Sequence, residues 1–73
     1  MLKPGDLVSG DASAYFVNLH RDPFWDGDRT VVGILRASDV GLVVAEAQRY
    51  VLVLANDTLG WVHLTWLERC HDS

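Results

Sequence analysis

The sequence predicts an all-β domain of five short strands, arranged as a sandwich or a small barrel. Three observations carry this reading. From Thr30 onward, runs rich in β-branched and aromatic residues recur, each four to seven residues long. Turn-forming residues separate these runs at short intervals. Finally, 73 residues permit a single hydrophobic core, and residues 1–73 are read as one domain.

The elements are taken in chain order. Pro4-Gly5-Asp6 is a turn signal, since proline presets φ and glycine tolerates the turn conformation after it. Leu7-Val8 opens the first strand. Residues 10–29 read as a long irregular first loop, punctuated by Gly10, Asp11, Asn18, Asp22, Pro23 and Gly27-Asp28. It holds the aromatics Tyr15, Phe16, Phe24 and Trp25, with Tyr15-Phe16-Val17 a candidate short strand inside it. A loop this long in so small a domain is functional or packed on itself. Thr30–Arg36 is the next strand, with Gly33 as a candidate bulge. After a turn at 37–41, Leu42–Ala47 and Tyr50–Ala55 form a hairpin. A helix over residues 39–50 is the rival, because Ala-Glu-Ala-Gln-Arg is good helix material. Gly41 and the density of valine favour the strand. Asn56-Asp57 starts the next turn, and Trp61-Val62 begins the last strand after Gly60.

The hairpin is apolar on both faces, whereas a half-solvated strand alternates apolar with polar. Leu52 and Leu54 are expected to point inward. Val43, Val51 and Val53 then form an outward apolar face, a candidate homo-oligomer interface. The alternative is a few tolerated surface valines.

Composition sets several activities aside. Ten acidic and six basic residues give a net charge of −4, which repels phosphate backbones unless Arg36, Arg49 and Arg69 gather. No run approaches the ~18 apolar residues of a membrane span, and residues 1–6 lack the apolar core of a signal peptide. A cytoplasmic protein that touches no membrane is therefore expected, and the single cysteine, Cys70, fits a reducing compartment. Asp26-Gly27-Asp28 is preceded by Pro23, Phe24 and Trp25, which offer no side-chain oxygen for calcium. Cys70-His71 with His63 falls short of the four ligands of structural zinc. No activated nucleophile or phosphate loop is visible, so neither catalysis nor a cofactor is expected.

The segment Gly60-Trp61-Val62-His63-Leu64-Thr65-Trp66-Leu67-Glu68 resembles the end of an SH3 domain. In that family a glycine, an aromatic and a β-branched residue form a strand, succeeded by a proline, a short 3₁₀ turn, an aromatic and a closing strand. Here His63 stands at the proline, and Trp66-Leu67 stands for the usual tyrosine-valine. Lys3-Pro4-Gly5-Asp6-Leu7-Val8 is similar to the start of SH3-like and KOW-like barrels. The middle of the chain agrees by strand count alone. Free-standing barrels of this kind are also similar to small phage accessory proteins, which would place the chain in a host cytoplasm or a virion.

The resemblance implies a five-stranded SH3-like barrel with a 3₁₀ turn before the last strand. It also implies a groove for a protein or peptide partner, lined by Trp66, His63 and a loop aromatic. Tyr15 or Phe16 is the candidate for that aromatic, and Trp25 is a further exposed candidate in the same loop. Asp22, Asp26 and Asp28 would favour a basic side chain on the partner. The alternatives are a structural subunit of a larger particle and, disfavoured by charge, a KOW- or Tudor-like nucleic-acid binder.

Overall fold

The computed structural model describes residues 2–11, 13, 15–23 and 27–70. Among them seven strands occur in chain order: β1 (Leu7–Gly10), β2 (Phe16–His20), β3 (Val31–Arg36), β4 (Gly41–Ala47), β5 (Tyr50–Ala55), β6 (Thr58–His63) and β7 (Leu67–Arg69). A 3₁₀ turn at Leu64–Trp66 precedes β7. The strands form one antiparallel sheet in the order β3-β2-β6-β5-β4-β1-β7, curled into a half-barrel. The all-β class is as expected, but the strand count is seven instead of five. None of the described helical segments is long and apolar enough to cross a membrane.

The two additional strands are β2 and β7. β2 lies within the stretch read as a loop and extends the candidate short strand Tyr15-Phe16-Val17 to His20: Phe16-Val17-Asn18-Leu19-His20 alternates cleanly, with Val17 and Leu19 buried, Phe16 and Asn18 exposed. The expected long loop is thereby cut in two. β7 pairs with β1 through Val8↔Arg69, Ser9↔Glu68 and Gly10↔Leu67, so the first and last strands lie side by side.

Residues 39–50 contain β4, not a helix. β4, β5 and β6 form a meander with two-residue connections. Asn56 and Asp57 both take positive φ, 52° and 63°, the condition of a type I′ turn, whose twist matches that of the flanking strands. β6 therefore starts at Thr58, earlier than expected. Two ladder irregularities bend the sheet. Val44 is the extra residue of β4 between the pairs Val43↔Val53 and Ala45↔Leu52. Val32 is the extra residue of β3, beside Gly33, between Leu19↔Gly33 and His20↔Val31. Such bulges increase local twist and aid closure.

The core comprises Val8, Val17, Leu19, Leu35, Val43, Val51, Val53, Ala55 and Val62. This reverses the expected facing of the hairpin. Val43, Val51 and Val53 are 0–1% exposed and cannot form an oligomer face, while Leu54 points outward and Leu52 is only half-buried. On β4 and β5 the concave side is filled by Gly41, Val43, Val51, Val53 and Ala55, while Leu42, Leu52 and Leu54 stand on the convex side; Leu19 of β2 and Leu35 of β3 supply the larger side chains of the core. Gly60 marks a close approach: a Cβ there would collide with the Cβ of Leu19 on β2 and press on Val32. Gly10 brings β1 against β3, where a Cβ would stand 3.0 Å from the Leu35 carbonyl oxygen.

Candidate functional site

The outward side chains of β2 meet those at the far ends of β5 and β6. The strand alternation that buries Val17 and Leu19 turns Phe16, Asn18 and His20 outward. Tyr50 opens β5 and lies opposite His63, the last residue of β6. The 3₁₀ turn then projects Trp66, 53% exposed, beside them. Together with Arg29 these residues border an open groove of about 420 Å³, floored by Val17 and Val62.

Hydrogen bonding orients both histidines. The Thr65 backbone N–H donates to His63 Nδ1 at 3.2 Å, and the Thr65 hydroxyl lies 2.8 Å from the same atom. An atom that accepts from a backbone N–H carries no proton, so the hydroxyl also donates and the ring proton of neutral His63 sits on Nε2. His20 Nδ1 lies 3.0 Å from the Arg29 carbonyl oxygen. A carbonyl only accepts, so Nδ1 carries the proton and neutral His20 keeps a lone pair on Nε2. The groove thus has one ring N–H donor and one ring acceptor, set by neighbouring backbone. His63 also serves as N-cap of the 3₁₀ turn, with φ −69° and ψ 134°.

Among the expected binding residues, Trp66 and His63 line the groove. Tyr15 does not: it is 94% exposed and precedes β2, while its neighbour Phe16 takes the groove position. Trp25 and Asp26 lie outside the described residues. Asp28 is absent from the lining and is engaged within its own loop. Its Oδ1 accepts from the Thr30 N–H at 2.9 Å and from the Thr30 hydroxyl at 2.6 Å, and Arg21 stands 3.5 Å from Oδ2. The Thr30 bonds, and secondarily the Arg21 charge, hold its carboxyl below the usual range. Asp22 accepts the Asp28 N–H at 2.7 Å, completing a loop scaffold rather than a binding surface. No described carboxylate lines the groove; its charged member is Arg29.

Val17, Asn18, His20, Arg29, Tyr50 and Val62 are the lining residues that sequence reasoning missed. The signal for two of them was present, since the alternation in 16–20 puts Asn18 and His20 on the same face as Phe16. Trp61 is half-buried on the outer face, paired with His20 and Leu52. In comparison with known proteins, the chain matches no family model, no curated protein and no solved structure.

Proposed function

We propose that this chain is a non-enzymatic, SH3-like binding module that holds an extended segment of a protein partner in the groove of Phe16, Tyr50, His63 and Trp66. One observation carries the reading: four rings from β2, β5, β6 and the 3₁₀ turn border a single open groove. Flat, rigid rings with polar tips offer large contact area at low entropic cost, and binding hot spots concentrate in such residues. The two histidines add a donor and an acceptor suited to a peptide main chain. The 3₁₀ turn between β6 and β7 supports the SH3-like assignment.

The test is a random-peptide display selection on the immobilised protein, with a Phe16→Ala/Trp66→Ala variant as counter-selection. Peptides should be enriched on the wild type, and each single substitution should weaken them by about 2 kcal/mol, roughly thirty-fold. Peptides that bind wild type and double variant equally would overturn the reading.

A further inference from the structure

Resting on the groove reading above, we infer that the protein segment held there is acidic, with a carboxylate that meets Arg36 beside the ring of Phe16. β2, β3, β5 and β6 build the sheet in and beside the groove. The chain has ten acidic residues, yet none of these four strands contains Asp or Glu. Histidines aside, their one charged side chain is Arg36. The register Phe16↔Arg36 sets it directly across from a groove ring, and both residues are exposed. The Ala37 N–H donates to the Tyr15 carbonyl, which makes Phe16↔Arg36 a non-hydrogen-bonded pair, the kind whose side chains stand closer. Arg49 stands on the other flank. It is exposed, immediately precedes Tyr50, and its carbonyl accepts the Leu64 N–H of the 3₁₀ turn.

The remaining charges leave this role to Arg36 and Arg49. Arg21 is tied to Asp28 at 3.5 Å and Arg69 to Asp6 at 3.1 Å, whereas neither Arg36 nor Arg49 makes an ion pair among the described residues. Asp39 is close to Arg36 in the chain, but its carboxylate accepts the Arg36 backbone N–H at 3.1 Å and the Asn56 side-chain amide at 3.4 Å. An exposed guanidinium beside aromatic rings suits a carboxylate through its charge and its fork of N–H donors. The net charge of −4 does not oppose this. Screening confines the field of exposed charges to about 8 Å at physiological salt, so a short segment feels the arginines flanking the rings. A nucleic-acid strand would carry its phosphates past the groove onto the acidic turns, which is why the charge distribution favours an acidic protein segment.

The test sequences the peptides that a random display enriches on the immobilised protein through Phe16 and Trp66. They should be rich in Asp and Glu. Arg36→Glu should weaken them by about five-fold or more, since reversing a charge adds repulsion to the loss of a pair. Replacing the peptide's carboxylate by lysine should weaken binding to the wild type and restore it to Arg36→Glu. Arg36→Gln is the second variant, in case a new carboxylate near Asp39 disturbs the strand. Groove-dependent peptides with no acidic enrichment, or acidic ones indifferent to both Arg36 variants, would overturn the inference and leave the groove reading standing. Finding no peptide that depends on Phe16 and Trp66 would overturn both. A fluorescent oligothymidylate that displaces the peptides from the wild type but not from Arg36→Gln would overturn it in favour of a nucleic-acid strand.

Discussion

Tyr50 and His63 meet edge to face across the β5–β6 ladder, ring centroids 5.1 Å apart and planes at 84°. Their place in the ladder explains the closeness. Counting from the Asn56-Asp57 turn, the antiparallel alternation makes Ala55↔Thr58 a hydrogen-bonded pair and Tyr50↔His63 a non-hydrogen-bonded one. The Leu64 N–H donating to the Arg49 carbonyl at 3.0 Å fits the same parity. Side chains of non-hydrogen-bonded pairs stand closer, and aromatic pairs there add about 0.5–1.5 kcal/mol.

This arrangement predicts that His63→Pro folds. The backbone φ of −69° already matches a proline ring, and the His63 N–H makes no bond to β5. The substitution removes the Tyr50 ring contact and the Thr65 cap, so a thermal melt should fall by only a few degrees. Loss of the β-type circular dichroism spectrum would show that the His63 N–H is needed by β2.

Core truncations should separate inward from outward positions. Leu19→Ala and Leu35→Ala, at fully buried sites, should each cost about 2–5 kcal/mol in urea unfolding. A domain of this length has roughly 4–11 kcal/mol in all, so either change endangers folding. Leu54→Ala, on the convex face, should cost under about 1 kcal/mol. Equal losses at Leu54 and Leu35 would contradict the facing of β5.

Gly60→Ala should be among the most damaging single-methyl additions. The new Cβ would meet the Leu19 Cβ and stand 3.2 Å from the Leu19 carbonyl carbon, which is backbone and cannot swing aside. Overpacking of this kind costs about 1–3 kcal/mol. Gly5→Ala makes a contrast, since open space surrounds it and its φ of 98° is the sole obstacle.

Acid should destabilise the fold. Asp6, Asp11 and Asp28 are all held below the ordinary carboxylate value of 3.8. The leading causes are the Lys3 N–H for Asp6, the Ser13 N–H for Asp11 and the Thr30 hydroxyl for Asp28. A carboxyl depressed in the folded state stabilises fully above its unfolded value, and that contribution drains away as pH falls through the folded value. Melting temperature should therefore be flat above pH ~5 and decline below pH ~4. Asp28→Asn should flatten part of that decline; an unchanged profile would remove Asp28 from the account.

The sequence made some of this legible and hid the rest for physical reasons. The hairpin Leu42–Ala47 and Tyr50–Ala55 was readable almost to the residue, because β-branched density and short turns agree there. Its facing was not readable. Period-two patterning assigns a face only when the two faces differ in polarity, and here both are apolar. β2 was masked by the turn residues around it, although its own five residues alternate. Two of the groove's lining residues, His63 and Trp66, were readable from the chain's last segment. Arg29 and Tyr50 enter it from strand ends and a loop, which no local pattern announces.

The pairing of β1 with β7 sets the order in which the molecule assembles. β4, β5 and β6 are joined by two-residue connections, and such local hairpins close early and cheaply in entropy. β1 instead pairs with residues about sixty positions away, so its second edge stays unsatisfied until Leu67–Arg69 arrives. Substitutions in β4 and β5 should thus slow folding, while those in β1 and β7 should chiefly hasten unfolding. A nascent chain would then carry a formed meander while β1 waits for the strand that seals it.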